Sequence, residues 1–146
     1  MVARRPDAAR QAFDGLDVDV VAGDLRSLDS LAAAVEGMST VYNLSFGGGA
    51  TWSDLESNDV TPALALADAC EAAGVERMVY ASSIAIYNAG KPGEVITEET
   101  PAGSTFLADV CVQWEAAAQP AIDAGIPTAF VRTGIVQPPE GGALAK

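Results

Sequence analysis

Amphipathic segments and short apolar runs alternate along the chain. The same order recurs four times: an amphipathic segment, a glycine and a short apolar run. The amphipathic segments are residues 6–15, 28–37, 60–74 and 106–125, and the apolar runs are residues 18–22, 40–44, 78–81 and 128–132. Leu28, Leu31, Ala32 and Val35 follow the i, i+3, i+4, i+7 spacing of a helix with one buried face. A glycine after each amphipathic segment supplies the left-handed turn that ends a helix. The pattern predicts helices and strands in strict alternation.

The apolar runs are nearly continuous and do not alternate with polar residues. Continuous apolar strands are typical of parallel sheets that helices cover on both faces. We therefore predict an α/β fold with a doubly wound parallel sheet. Pro120 lies deep in the last helical segment and should kink or split it near Ala116. Residues 88–104 are rich in Gly, Pro, Thr and Glu and are predicted to form a surface loop.

The third apolar run lies in the stretch V-E-R-M-V-Y-A-S-S-I-A-I-Y, residues 75–87, and two hydroxyl side chains stand at its far end. Ligands of open parallel sheets bind beyond the carboxyl ends of the strands, which would place Ser82 and Ser83 at a site. Serines also favour turns and helix caps, so these two could instead cap the next segment. The pair by itself leaves both interpretations open.

Two other predicted strands also end in polar or flexible residues. One runs into Gly23-Asp24-Leu25, where a carboxylate follows a buried segment, and another runs through Leu44-Ser45-Phe46 into three glycines, residues 47–49. Glycines let a ligand approach the backbone closely, although plain flexibility explains them equally well. The glycines match neither a P-loop, since no G-K-[ST] follows, nor G-x-G-x-x-G, since Trp52 takes the third glycine's place.

The charge balance argues against some partners. Eight basic and twenty acidic residues give a net charge of −12, which opposes binding to nucleic acid or to an anionic membrane. Arg4, Arg5 and Arg10 nevertheless cluster in the first ten residues, either as an anion site or as the solvated start of a helix. No apolar run approaches the roughly 18 residues of a membrane helix, and we predict a soluble, cytoplasmic protein. Cys70 and Cys111 form no CxxC motif and suit reduced core thiols.

The chain contains no histidine. Ser-His-Asp and Cys-His catalysis and the usual zinc ligand sets are therefore excluded. Neighbouring acids such as Glu98 and Glu99 fit a solvated loop better than a metal site, and we predict none.

Several short motifs occur in a recognisable order. They are G-D-L at 23–25, V-Y-N-L-S-F at 41–46, Asn58 ahead of a helix, A-S-S-I-A-I-Y at 81–87, T-E-E-T-P at 97–101 and F-V-R-T-G-I-V-Q-P-P at 130–139. This order resembles the extended and atypical short-chain dehydrogenases/reductases, the NAD-dependent epimerase/dehydratase group. F-L-A-D-V-C-V-Q-W-E-A-A-A at 106–118 and E-G-G-A-L-A-K at 140–146 are similar to a subgroup described only as epimerase-like.

The resemblance implies a dinucleotide cofactor and a set of residues that hold it. Those residues are Arg4, Arg5, Asp24, Leu25, Leu44, Ser45, Phe46, Ala81 and Ser82. Arg4 and Arg5 fall where relatives that use NADP place cations against the 2′-phosphate, so NADP is favoured over NAD. Ser83 falls on the catalytic serine, which hydrogen-bonds the substrate oxygen during hydride transfer.

The chain departs from the family in its general base. The family uses a tyrosine and, four residues later, a lysine whose charge lowers the pKa of the phenol. The corresponding helix here carries Phe106, Leu107, Val110 and Cys111, and no Tyr-x-x-x-Lys occurs in the chain. Tyr87 is the one phenol predicted near the crevice and is the remaining candidate for proton transfer.

The resemblance also begins part-way into the family's fold. Residues 1–146 match a partial NAD(P)-binding domain that starts at the tail of the second strand, without the first strand and its glycine-rich turn. The substrate-binding C-terminal part is expected to be absent. In the strand order 3-2-1-4-5-6 the first strand is central, so we expect an incomplete sheet.

These observations lead to an NAD(P)-dependent epimerase/dehydratase-like oxidoreductase, as a fragment or truncated form. Its substrate would be a small polar carbonyl or hydroxyl compound such as a nucleotide sugar. The alternative is a non-catalytic NAD(P)-binding sensor that lacks the Tyr and Lys pair. Family analogy also suggests a homodimer formed through the helices at 60–74 and 106–125.

Overall fold

The computed structural model describes residues 1–47, 49 and 51–137, and this part of the chain is an α/β structure. Its strands are β1 Val2–Ala3, β2 Val21–Ala22, β3 Thr40–Asn43, β4 Arg77–Ser83 and β5 Thr128–Thr133. Its α-helices are α1 Pro6–Ala12, α2 Leu28–Val35, α3 Trp52–Leu55, α4 Thr61–Ala73, α5 Phe106–Ala116 and α6 Gln119–Asp123. None of these helices is long and apolar enough to span a lipid bilayer.

All strand pairs in the described part are parallel. β1 pairs with β2, and β3, β4 and β5 form a second sheet in that order. Tyr80 in the middle of β4 lies opposite Asn43 on one side and Phe130 on the other. The helix-flanked parallel arrangement confirms the predicted fold class. In the family's strand order, the strand expected to be missing would stand between β1 and β3, and within the described residues no strand joins the two sheets there.

The helix ends follow from local sequence. Ser27 caps α2 by accepting a hydrogen bond from the Ser30 N–H, and Thr105 caps α5 in the same way through the Ala108 N–H. Gly74 ends α4 in the left-handed conformation, at φ +69°. A five-residue π-helical turn, Glu56–Val60, leads directly into α4. Such turns are rare and often lie at functional sites.

The predicted break in the last helical segment is confirmed. α5 ends at Ala116, and α6 begins at Gln119 with Pro120 in its first turn. A proline there removes no helical hydrogen bond, because the first N–H groups of a helix have no partner inside it. Residues 88–104 contain no helix or strand, which confirms the predicted loop.

Helices cover the three-stranded sheet on one face. The core contains Met78 and Tyr80 of β4 together with buried residues of the helices, namely Leu31, Val35, Ala63, Leu66, Ala67, Cys70, Ala117, Ala118 and Ala121. The opposite face is open in the described part of the chain, where Tyr42 and Val131 are 64% and 51% exposed. Cover on both faces is therefore not seen at Tyr42 and Val131, while the predicted parallel, helix-flanked fold class holds. Apolar strand composition does not distinguish a covered face from an open one.

Candidate functional site

The two serines of the A-S-S motif occupy the last two positions of β4, at the carboxyl end of the sheet. They pair in register with Arg132 and Thr133 of β5. The Ser83 Oγ accepts a hydrogen bond from the Ala85 N–H at 3.1 Å and caps the 3₁₀ turn Ile84–Ile86. Ser83 therefore has the capping role considered above, and it also lies at the strand end where a ligand site was predicted.

A bidentate ion pair joins helix α5 to strand β5 beside these serines. Arg132 donates from Nε to Glu115 Oε1 at 2.8 Å and from Nη2 to Glu115 Oε2 at 2.7 Å. The side chains of Arg132 and Glu115 are only 23% and 13% exposed. Two parallel bonds between a guanidinium and a carboxylate fix both groups in orientation as well as position.

The Glu115 carboxylate also holds Ser82, whose Oγ donates to Oε1 at 2.7 Å. Burial alone would raise the pKa of Glu115, but the hydrogen bonds from Arg132 and Ser82 outweigh it and lower the pKa. The hydrogen bond to Glu115 in turn raises the pKa of Arg132 despite partial burial. Both groups are therefore charged at neutral pH.

The remaining guanidinium nitrogen connects the ion pair to Tyr87. Arg132 Nη1 donates to the Tyr87 phenol oxygen and, at 3.1 Å, to the backbone carbonyl of Glu98. The guanidinium carbon lies 5.3 Å from the centre of the Tyr87 ring, within the range of a cation–π contact. Tyr87 is thus held next to the strand ends by a cation on the neighbouring strand.

A cleft of about 690 Å³ opens at this point, and Ser83, Tyr87 and Arg132 all line it. Its other walls come from the loop that includes Ile96 and Thr97 and from the residues that follow β5. The volume falls within the range of small-molecule sites, which run from about 300 to 1,000 Å³.

The end of β3 contributes a second group of predicted residues. Leu44 and Phe46 are each 70% exposed, and the Ser45 Oγ donates to Asn43 Oδ1 at 2.6 Å. Phe46 makes an edge-to-face contact with Trp114, the neighbour of Glu115, with ring centres 5.5 Å apart. This contact connects the loop after β3 to the helix that carries the ion pair.

Of the three glycines that follow Phe46, Gly48 lies outside the described residues, and Gly47 packs against the protein itself. A Cβ on Gly47 would meet the Asn58 carbonyl oxygen at 2.5 Å. The Gly47 N–H donates to Asp59 Oδ1 at 2.5 Å, and Asp59 is buried in the π-helical turn. The close approach that requires glycine at this position is therefore to the chain's own backbone.

The remaining predicted cofactor residues follow β1 and β2 in the other sheet. Arg26 donates to Asp24 from its backbone N–H and its guanidinium, and these bonds lower the pKa of Asp24. The charge of Arg4 lowers that pKa further. Arg4 and Arg5 are exposed, and Leu25 packs against the core. Arg10 instead pairs with Asp7 at 2.9 Å.

The structure thus brings Ser82, Ser83 and Tyr87 together, with Ala81 one residue earlier on the strand. The other predicted cofactor residues after β1 and β2 lie at the carboxyl ends of a separate sheet; they are Arg4, Arg5, Asp24 and Leu25. The sequence analysis missed Glu115 and Arg132 as parts of the site. A charged residue inside the apolar run F-V-R-T is a usable signal, because a buried charge needs a partner.

The helix that carries Tyr and Lys in the family carries apolar side chains at the equivalent positions. Phe106 is exposed on the first turn of α5, and Val110 and Cys111 are buried. Burial, followed by the nearby Glu115 charge, raises the pKa of the Cys111 thiol. Cys111 therefore stays neutral and is a poor proton acceptor at this position.

Parallel strands flanked by helices, with polar side chains gathered at the carboxyl ends, define a Rossmann-like nucleotide-binding protein. The NAD(P)H-binding family matches residues 1–142, and the chain belongs to this family, on its epimerase-like short-chain dehydrogenase/reductase branch. This membership confirms the resemblance found in the sequence and NAD(P) as the cofactor class.

Relatives and solved structures agree with this assignment. An epimerase family protein of Mycobacterium bovis is 38% identical over 98 residues, which make up 67% of this chain and 32% of that protein. A nucleoside-diphosphate sugar epimerase from Corynebacterium glutamicum superposes with a TM-score of 0.75 at 26% identity, covering 98% of this chain and 35% of that one. MoeE5, solved with UDP-glucose and NAD, superposes with a TM-score of 0.68 at 25% identity, covering 96% of this chain and 48% of that one. The chain therefore spans about a third of the length of the curated relative it matches.

Proposed function

We propose that this chain is the dinucleotide-binding part of an NAD(P)-dependent epimerase/dehydratase-like oxidoreductase. Its substrate would be a small polar compound with a carbonyl or hydroxyl group, such as a nucleotide sugar. The observation that carries the proposal is the cleft at the carboxyl end of β4, which Ser83 and Tyr87 both line in a member of an NAD(P)H-binding family. The nucleotide sugars named with two structural neighbours support this substrate class.

In this proposal the cofactor lies across the strand ends. Ala81 and Ser82 would border the nicotinamide ribose, Leu44, Ser45 and Phe46 would line the ribose and pyrophosphate, and Asp24 and Leu25 would flank the adenine. Arg4 and Arg5 would hold the 2′-phosphate of NADP, which their exposure and positive charge favour. Bound NADP would supply the hydride chemistry, and the residues of this chain would orient the substrate.

Ser83 and Tyr87 are the proposed catalytic residues. The Ser83 oxygen already accepts the Ala85 N–H, so its hydrogen is left to donate to a substrate oxygen. Tyr87 presents a second hydroxyl to the same cleft. Two hydroxyl donors would stabilise negative charge that develops on a carbonyl oxygen during reduction.

Cofactor binding and turnover test the proposal separately. Calorimetry with NADPH and NADH measures the first, and we expect the 146-residue chain to bind NADPH more weakly than micromolar, since β1 and β3 have no strand between them in the described part. Turnover requires the full-length protein, NADPH and a panel of carbonyl compounds. Ser83→Ala should lower turnover by about 100-fold or more, whereas Ser104→Ala, an exposed serine, should not. Equal activity of both variants would refute the proposed role of Ser83.

The second candidate function is a non-catalytic NAD(P) sensor. Phe106, Val110 and Cys111 favour it, because none of them can replace the family's tyrosine and lysine as an acid or base at neutral pH. A full-length protein that binds NADPH tightly and turns over no carbonyl compound would support the sensor. A homodimer through the helices at 60–74 and 106–125 remains a further prediction, which sedimentation would test.

A further inference from the structure

We infer that Arg132, fixed by Glu115, is a positioning residue that directs the Tyr87 phenol hydrogen toward a neutral oxygen acceptor in the cleft. The identity of the ligand rests on the proposed function, whereas the positioning itself rests on the contacts around Arg132. Neither Arg132 nor Glu115 has a part in the roles assigned above to the serines and the tyrosine.

The first step is that Arg132 is held rigidly. Its Nε and Nη2 both bind the Glu115 carboxylate, at 2.8 and 2.7 Å, and the pair is largely shielded from water. The guanidinium is planar, so two fixed nitrogens also fix the direction of the third. Nη1 must then point where it does, toward Tyr87 and the Glu98 carbonyl.

The second step concerns the phenol. Arginine has donors and no acceptor, so in its contact with Arg132 the Tyr87 oxygen accepts. The phenol hydrogen therefore cannot bond to Arg132 and is free to donate elsewhere. Tyr87 lines the cleft beside Ser83, so a ligand bound in the cleft can accept this hydrogen.

The third step concerns the class of ligand. The Arg132 charge is already balanced by Glu115, through a bidentate bond at short range. A charge compensated in this way attracts a second anion far less than a free arginine does. The geometry therefore favours a neutral carbonyl or hydroxyl oxygen at the phenol over a phosphate or carboxylate.

The test follows Tyr87 directly by ¹⁹F NMR of the chain labelled with 3-fluorotyrosine. The sequence contains three tyrosines, Tyr42, Tyr80 and Tyr87, and Tyr87→Phe assigns the third resonance. Glu115 does not contact Tyr87, yet Glu115→Gln should shift the Tyr87 resonance by more than its line width. Glu76→Gln, at the exposed ion pair with Arg77, is the matched control and should not.

The buried Tyr80 reports whether each variant is folded, and Arg132→Lys provides a second, conservative change. Lysine keeps the positive charge but cannot form the bidentate bond to Glu115. Arg132→Lys should therefore also shift the Tyr87 resonance, while the Tyr80 resonance stays unchanged. A Tyr87 resonance that is unchanged in folded Glu115→Gln, or in folded Arg132→Lys, would overturn the positioning role.

The ligand class is tested with cyclohexanone, a neutral carbonyl, and inorganic phosphate at equal ionic strength. Cyclohexanone should move the Tyr87 resonance of the wild-type chain, and the effect should be smaller in Glu115→Gln. A response to phosphate alone, or to neither probe, would contradict the assignment of a neutral oxygen ligand. The turnover of Ser83→Ala and Ser104→Ala is independent of both readouts, so equal turnover of those two variants would count against the proposed function and not against this inference.

Discussion

Glu115 shows how the charge state of a single residue depends on its neighbours. Its burial opposes ionisation, whereas Arg132 and Ser82 donate three hydrogen bonds to its two oxygens and reverse that tendency. Without these donors burial would raise the pKa of the Glu115 carboxylate, and the bidentate bond that orients Arg132 would be lost. The carboxylate is therefore a condition for the geometry around Tyr87.

Removal of the Glu115 side chain should destabilise the chain. Glu115→Ala leaves a partly buried guanidinium without its carboxylate, and we expect the free energy of unfolding to fall by about 2–3 kcal/mol. Urea unfolding followed by circular dichroism measures the change. Glu76→Ala, at an ion pair whose side chains are 58% and 65% exposed, should stay within about 0.5 kcal/mol. Equal losses in both variants would contradict a special role for the partly buried pair.

The lowered pKa of Glu115 also predicts a pH dependence. Because the folded pKa lies below the ordinary value of 4.5, the unfolded chain binds more protons in the interval between the two values. The contribution of Glu115 is therefore fully present above pH 4.5 and is lost as the pH falls through the folded value. Urea midpoints from pH 7 to pH 3 should fall more steeply for the wild-type chain than for Glu115→Gln. Parallel profiles would refute the assignment.

The two cysteines should be unreactive in the folded chain. Burial raises the pKa of Cys70 to about 11 and also raises that of Cys111. At pH 8 roughly one Cys70 thiol in a thousand is then a thiolate, which is the reactive form. Iodoacetamide should label neither cysteine in buffer and both in urea, as read by mass spectrometry. Rapid labelling of the native chain would show that these helices open easily.

At the scale of elements, the sequence predicted most of the helices and strands because their end signals are local. Gly74 ends α4, and Pro120 starts α6 after the predicted break. The strand predicted at 18–22 is reduced to Val21–Ala22, because pairing with the two-residue β1 limits its ladder. No local signal predicted the π-helical turn before α4, whose Asp59 accepts a hydrogen bond from the N–H of Gly47, twelve residues earlier in the chain.

The glycine at the end of α4 gives a prediction about helix termination. Gly74 has φ +69°, and a Cβ there would meet nothing within 4 Å, so any cost of a side chain is conformational. Gly74→Ala should lower the free energy of unfolding by about 1–2 kcal/mol. Gly134→Ala is the matched control, because its Cβ would make an ordinary contact at 3.7 Å with Ile84. Similar stabilities of the two variants would argue that the left-handed turn is not required.

At the scale of the whole molecule, the sequence predicted the parallel sheet, but it did not predict which face of the sheet the helices cover. Val131 lies within β5 and Val75 lies two residues before β4, yet Val131 is 51% exposed and Val75 is 4% exposed. Met78 and Tyr80 lie on the face that residues of α2, α4 and α6 cover, and Val75 joins the same core, whereas Val131 lies on the opposite face of the three-stranded sheet. Which side a helix covers depends on contacts between segments distant in sequence, which apolar composition does not encode.

The two valines therefore make a matched test of the one-sided core. Val75→Thr places a hydroxyl among buried apolar side chains and should lower the free energy of unfolding by about 1–3 kcal/mol, because burial of a polar group costs free energy. Val131→Thr places the same hydroxyl on the open face, where water satisfies it, and should stay within about 0.5 kcal/mol. It should also reduce binding of the dye ANS, which reports exposed apolar surface. If Val131→Thr proved as costly as Val75→Thr, the face that carries Tyr42 and Val131 would be covered in solution, and the sheet would be buried on both sides.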